Sequence, residues 1–138
     1  MKYVKSCGFV VFKRANNENL YLIITSKNGD IGFPKGHTEE NETEIQTAIR
    51  ELKEETNIEV KIITEFRREI DYPLPNRQDT IKISVYFLGE CTSDHLLPQM
   101  SEVNKAEFLP YYEALGALTF AETKSILTDA EKYINSSL

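Results

Sequence analysis

Three glutamates in one short stretch have the type and spacing needed to bind a divalent metal ion: Glu51, Glu54 and Glu55. On a helix, at ~100° per residue, their carboxylates lie within about 100° of one another. Like charges four residues apart on an open helix cost roughly 0.2–0.5 kcal/mol per pair. A hard cation such as Mg²⁺ prefers carboxylate and water oxygens, removes that repulsion and can activate a bound water.

A solvated, glutamate-rich helix is the competing interpretation, with Arg50 pairing with Glu54 four residues along the chain. The surrounding residues favour a site instead. A loop containing Gly36 leads to Glu42, a capped helix begins directly afterwards, and Arg50 and Glu51 precede the acid pair. Acidic residues in this arrangement indicate a metal-binding site.

The sequence predicts that a helix over Thr43–Thr56 carries these glutamates. Thr43 and Gln46 can form a capping box at its start. Four apolar residues recur at helical spacing and predict its buried face: Ile45, Ala48, Ile49 and Leu52. Asn57 suits the end of the helix, because asparagine tolerates the left-handed conformation that closes helices.

Strands and one more helix are predicted around this helix. Ser6–Arg14 and Leu20–Lys27 read as a hairpin joined by a polar loop. Further strands are predicted at Glu59–Glu65, Arg68–Tyr72, Ile81–Glu90 and Lys105–Leu109, a loop at Ser93–Met100 and a helix at Ala121–Ile134. We therefore expect residues 1–138 to form a single α/β domain, with a mixed β-sheet sandwiched between α-helices.

Composition excludes some classes of partner. The net charge of −6 disfavours a nucleic-acid duplex. No apolar run approaches the ~20 residues of a membrane-spanning helix, and the N-terminal residues do not resemble a signal peptide. Cys7 and Cys91 form no CxxC pair and read as reduced thiols, so we expect a cytoplasmic protein. We also expect it to be a monomer.

The stretch from Gly36 to Ile58 resembles the signature of the Nudix hydrolases. The residues that carry this resemblance are Gly36, Glu42, Arg50, Glu51, Leu52, Glu54, Glu55 and Ile58. Asn57 stands where the signature has its second glycine, and we expect this departure to be structural and tolerated. The resemblance implies a Nudix fold and hydrolysis of a nucleoside diphosphate linked to another group.

Several roles follow from the resemblance. Glu51, Glu54 and Glu55 are expected to bind the metal, and Glu54 or Glu51 to orient or deprotonate the attacking water. Glu42 and Arg50 are expected to form a supporting ion pair. The resemblance also implies two further metal ligands, Gly36 and Glu102.

The flanking segments resemble one group within the family, the asymmetrical diadenosine tetraphosphate hydrolases. The similar segments are Phe33–His37, Phe66–Tyr72, Lys82–Phe87 and Leu118–Glu122. Two features depart from that group: Glu40 and Asn41 replace a Pro-Gly pair, and the chain has no tryptophan. These departures concern loop and nucleobase contacts and leave the metal chemistry intact.

Six residues are candidates for binding such a substrate. Lys35, His37 and Lys82 are donors suited to an anionic polyphosphate, and His37 is also a candidate for acid–base chemistry. Tyr72, Tyr86 and Phe120 can stack on adenine, an interaction worth ~1–3 kcal/mol per base. Tyr86 in an apolar strand and Phe120 before a helix can equally be packing residues.

The resemblance implies Mg²⁺-dependent hydrolysis of diadenosine tetraphosphate to ATP and AMP, with Mn²⁺ as a substitute metal. Two other Nudix activities remain as alternatives, removal of pyrophosphate from RNA 5′ ends and cleavage of nucleoside triphosphates. A third alternative, from another class, is a nucleotide-binding sensor without catalysis. The complete set of signature acids favours an enzyme.

Overall fold

A computed structural model describes residues 1–92, 95–99 and 101–138 of the chain. The strands are β1 (Lys2–Ala15), β2 (Glu18–Ser26), β3 (Ile31–Gly32), β4 (Lys35–His37), β5 (Val60–Pro73), β6 (Thr80–Cys91) and β7 (Val103–Pro110). The helices are α1 (Glu44–Thr56), α2 (Tyr111–Ala117) and α3 (Ala121–Ser137). Three positions of the predicted loop Ser93–Met100 lie outside the described residues, namely 93, 94 and 100.

The strands form one mixed sheet with β1 at its centre. The order is β3-β2-β1-β6-β5, while β4 also pairs with β1 and β7 with β2. β1 runs parallel to β6 and antiparallel to both β2 and β4. Its first half adjoins β4 and its second half adjoins β2, so one edge of β1 is shared by two strands in turn. The mixed sheet predicted from the sequence is confirmed.

Side chains alternate between the two faces of the sheet and build a core on each. Phe9 points to the face covered by α1, where it clusters with Leu52. Val10 points to the opposite face, where it clusters with Leu127 of α3. Burying each such side chain stabilises the fold by about 1.5–3 kcal/mol. The predicted sandwich of a sheet between helices is thus confirmed.

α1 forms as its local signals indicate. Thr43 is the N-cap, and a capping box joins it reciprocally to Gln46. Asn57 ends the helix in the left-handed conformation, with φ 63° and ψ 18°. The predicted buried face was wrong at one residue. Ile49 is 45% exposed, because it lies at the margin of the face that packs on the sheet.

The two strands predicted at Glu59–Glu65 and Arg68–Tyr72 are one strand, β5. Its pairing with β6 is interrupted by an irregularity between Ile63 and Arg67. Such a bulge lets the strand bend without ending. Phe66 lies within it and is fully buried, in edge contact with Tyr133 of α3. The bulge therefore directs an aromatic side chain into the core.

Other elements begin or end differently from the predictions. The β1–β2 hairpin turns on two residues, Asn16 and Asn17, both with positive φ, which asparagine tolerates. α2 was not predicted, because it is short and has no side-chain cap.

No helix in the described part of the chain is long and apolar enough to cross a membrane.

Candidate active site

Gly36 of β4 makes room for the carboxylate of Glu51 on α1. A Cβ atom at position 36 would lie only 1.9–2.1 Å from the Glu51 carboxyl atoms. No real Cβ approaches other atoms so closely, so any side chain at this position would displace the Glu51 carboxylate. The Glu51 carboxylate and the backbone of β4 are therefore held side by side, as ligands of one cation would be.

The ion pair predicted between Glu42 and Arg50 is present and ties the loop to α1. Arg50 donates to Glu42 through Nε at 2.7 Å and through Nη2 at 3.0 Å. This pairing lowers the pKa of Glu42 to about 2. Arg50 Nη2 also donates to the carbonyl of His37 at 2.9 Å. One guanidinium thus fixes both sides of the loop between β4 and α1.

The three signature carboxylates lie on one side of α1 and differ in exposure. The side chain of Glu54 is 48% exposed and that of Glu51 only 12%. Both accept from Arg50 Nη1, at 3.3 and 3.4 Å. Glu55 accepts from the backbone N–H of Lys35 at 3.0 Å. β4 therefore contacts the carboxylate helix at two successive residues.

The buried carboxylates repel one another. Burial, followed by the charge of Glu51, raises the pKa of Glu55 to about 8. Burial likewise raises the pKa of Glu51. Within the described residues no three acidic, histidine or cysteine side chains already converge as a metal cluster. Three carboxylates on one side of a helix, beside the backbone of Gly36, nevertheless fit a hard divalent cation.

Glu102 comes close to this group through the segment that precedes β7. The backbone N–H of Gln99 donates to the carbonyl of Glu55 at 2.8 Å, and that of Glu102 donates to Gln99 at 2.9 Å. After burial and the other signature acids, the charge of Glu102 also raises the pKa of Glu51 and of Glu55. The predicted further acid therefore faces the same site.

Two of the three predicted phosphate-binding residues, Lys82 and His37, meet at a buried hydroxyl. Lys82 of β6 donates from Nζ to Ser6 Oγ at 2.7 Å, and Ser6 Oγ lies 3.4 Å from Nδ1 of His37. Burial, followed by the charges of Lys35 and Arg77, lowers the pKa of Lys82 to about 8. The sequence predictions missed Ser6 and Arg77. A serine among the apolar residues of β1 was the available signal.

A cavity of about 280 Å³ lies on the α3 side of the sheet. It is lined by Lys35, Ile70, Tyr72, Pro75, Tyr86, Phe120, Glu122 and Thr123. Four of the six predicted substrate-binding residues are therefore together in one cavity, while His37 and Lys82 lie at the Ser6 hydroxyl beside β4. The sequence predictions missed the other four lining residues, Ile70, Pro75, Glu122 and Thr123. These residues come together only because the β5–β6 hairpin meets α3.

Tyr86 and Phe120 occupy different positions in this cavity. Tyr86 is 1% exposed and packs edge-on against Phe33, with ring centroids 5.4 Å apart. Tyr86 is thus a core residue that also forms part of the cavity wall. Phe120 precedes α3 and is 48% exposed, so its ring is available for stacking.

The carboxylates of α1, the glycine-containing strand against them and the adjoining cavity with Lys35 form a site suited to an anionic phosphate compound together with a divalent cation. The NUDIX domain family model matches residues 4–129. The chain belongs to the Nudix domain family, and the resemblance seen in the sequence is confirmed.

One curated relative and two solved structures are similar to this chain over nearly its whole length. The chain is 29% identical to the mouse bis(5′-nucleosyl)-tetraphosphatase [asymmetrical] over 146 aligned positions, covering 97% of each protein. The crystal structure of a C. elegans Ap4A hydrolase binary complex superposes with a TM-score of 0.87 at 24% identity, covering 96% of this chain and 98% of that one. The E. coli dihydroneopterin triphosphate pyrophosphohydrolase superposes with a TM-score of 0.79 at 17% identity, covering 99% and 100%. At these identities the two structures establish the fold alone.

Proposed function

We propose that this protein hydrolyses diadenosine tetraphosphate to ATP and AMP, with Mg²⁺ as the metal and Mn²⁺ as a substitute. One observation carries the proposal: Lys35 lines the aromatic cavity and its backbone N–H binds Glu55 of the carboxylate helix. A nucleobase in the cavity would therefore have its phosphate chain beside the signature glutamates. The mouse relative named above supports this substrate class.

The chain supplies separate groups for each part of the substrate. Tyr72 and Phe120 stack on one adenine. Lys35, His37 and Lys82 bind the phosphate oxygens. Glu51, Glu54 and Glu55 would hold the cation together with Gly36 and Glu102, and when bound it would neutralise phosphate charge and lower the pKa of water.

Glu54 is the proposed general base, since it is the exposed member of the three glutamates on α1, while Glu51 and Glu55 are partly buried. It takes a proton from water as the water oxygen bonds to the phosphorus that becomes part of AMP. The bond from that phosphorus to the bridging oxygen breaks, and the bridging oxygen leaves with ATP. Arg50, which contacts Glu54 and Glu42, keeps the base oriented.

Product identity tests the proposal. Incubation with Mg²⁺ and diadenosine tetraphosphate should yield equal amounts of ATP and AMP on anion-exchange separation. Two molecules of ADP, or no turnover, would overturn it. Parallel incubations with nucleoside triphosphates and 5′-triphosphorylated RNA test the other Nudix activities, which release pyrophosphate.

Glu54→Gln tests the assignment of the base. Loss of a general base typically costs 10²–10⁴-fold in rate, so kcat should fall by about that factor. Glu40→Gln, an exposed glutamate before the helix, is the matched control and should keep full activity. Unchanged turnover in the Glu54 variant would refute its role. Tight substrate binding without turnover in the unmodified protein would instead indicate a nucleotide sensor.

A further inference from the structure

Ser6 lies in a position that no catalytic or substrate-binding prediction covers. Ser6 pairs with His37 of β4, and Val4, two residues before Ser6, pairs with Lys82 of β6. Because side chains two residues apart on a strand share a face, Ser6, His37 and Lys82 lie on the same side of the sheet. Ser6 is only 2% exposed. A buried hydroxyl there must find hydrogen-bond partners within the protein.

The partners of Ser6 are the two side chains predicted to contact phosphate. The ammonium of Lys82 has donors only, so Ser6 Oγ accepts that 2.7 Å bond. The hydroxyl lies 3.4 Å from the imidazole Nδ1 of His37. One oxygen atom thus sets the position of a lysine from β6 against a histidine from β4.

We propose that Ser6 is a positioning residue of the substrate site, whose hydroxyl holds the Lys82 ammonium charged and directed at the polyphosphate beside His37. This inference rests on the proposed function, because it assumes that Lys82 binds phosphate. Ser6 itself is covered and acts through Lys82.

The electrostatics around Lys82 explain why such an acceptor matters. Lys35 and His37 of β4, Arg77 of the β5–β6 loop and the phenol of Tyr72 face this lysine. Burial and the cations among them lower the pKa of Lys82 to about 8. A hydrogen bond from the ammonium to an acceptor favours the charged form. Removal of the acceptor should therefore lower this pKa further.

Ser84 provides a matched control. It is the register partner of Ser6 on the neighbouring strand β6 and is 1% exposed. Ser84 Oγ makes no hydrogen bond of normal geometry within the described part of the chain, and its hydroxyl lies near the phenols of Tyr72 and Tyr86. The two serines therefore share location, size and burial, but only Ser6 contacts Lys82.

The test compares Ser6→Ala, Ser6→Thr and Ser84→Ala. NMR titration of protein carrying ¹³C at the lysine Cε, with Lys82→Arg identifying the resonance, gives the pKa of Lys82 directly. We expect that pKa to be lower than in the unmodified protein in Ser6→Ala only. An unchanged value in Ser6→Ala, or an equal fall in Ser84→Ala, would overturn the proposal. Thermal unfolding confirms that each variant is folded.

Kinetics with diadenosine tetraphosphate give the second measurement. Ser6→Ala should raise KM about tenfold near neutral pH, as expected for a lost hydrogen bond to a charged group, with a smaller effect on kcat. The difference should shrink at lower pH, where Lys82 is protonated in both proteins, and Ser6→Thr should restore KM. A fall in kcat alone would contradict a positioning role. If the dinucleotide is not hydrolysed at all, the proposed function fails while the NMR titration still decides the role of Ser6.

Discussion

Gly36 and Glu51 illustrate at the scale of single residues how a signature position works sterically. The absent side chain of Gly36 is what admits the Glu51 carboxylate to the backbone of β4. The two residues therefore act as one unit, and a change at either should disturb the same carboxylate. This dependence can be tested without altering any acidic residue.

Gly36→Ala should reduce kcat by about tenfold or more, because a displaced catalytic group commonly costs 10²-fold. The clash is with the end of a flexible side chain, so the free energy of unfolding should change by less than about 1 kcal/mol. Steady-state kinetics and urea unfolding measure the two effects. Gly32→Ala is the control, since an added Cβ there meets no atom within 4 Å. Equal activity of the two variants would show that the contact is not needed.

At the scale of secondary-structure elements, α1 was predictable because its signals are local. Thr43 and Gln46 cap its start, Leu52 marks its buried face, and Asn57 closes it, all within fifteen positions of sequence. The bulge in β5 was not predictable, because only the pairing with β6 reveals it. The same holds for Ser6, whose partners are 31 and 76 residues away.

The candidate site likewise contains residues that local sequence predicts and residues that only the fold brings together. The carboxylates and the Glu42–Arg50 pair lie within one contiguous stretch, so spacing alone indicated them. Tyr72 and Phe120 were indicated by similarity of separate segments, and the cavity that joins them depends on the approach of two elements. Thr123 has no signal of its own, and Glu122, although it lies in a similar segment, was not predicted as a site residue; both line the cavity because α3 begins there.

Asn57 gives a prediction about the end of α1. A left-handed residue other than glycine or asparagine costs roughly 1–2 kcal/mol, so Asn57→Ala should destabilise the protein by about 1 kcal/mol. Asn57→Gly should change the stability little. Glycine accepts the left-handed conformation, and this gain offsets the loss of the 3.1 Å hydrogen bond from the Asn57 side chain to the carbonyl of His95. Thermal unfolding compares the three proteins.

The kcat of Asn57→Gly distinguishes two interpretations of the asparagine that replaces the second signature glycine. If asparagine is only a helix terminator, Asn57→Gly should keep the kcat of the parent protein. A large increase in kcat on introducing glycine would instead mean that asparagine impairs the catalytic site.

At the scale of the whole molecule, β4 links the two layers that flank the sheet. Its residue Lys35 lines the cavity on the α3 side, while the backbone of the same residue bonds to Glu55 on α1. β4 occupies the edge of β1 that β2 takes over farther along the strand. Because two strands share this edge of β1, the proposed nucleobase cavity and the proposed metal site can lie on different layers and still meet at β4.

The separation of layers makes binding and catalysis separable by mutation. Phe120→Ala removes a 48% exposed ring from the cavity and leaves α1 untouched. Stacking is worth ~1–3 kcal/mol per base, so KM for the dinucleotide should rise about tenfold while kcat stays within a factor of about three. Tyr112→Ala is the matched control, because Tyr112 is an 83% exposed aromatic residue of α2 that lines no part of this cavity. A fall in kcat at constant KM would mean that the cavity serves the reacting phosphates, and equal effects of the two variants would remove the cavity from the substrate site.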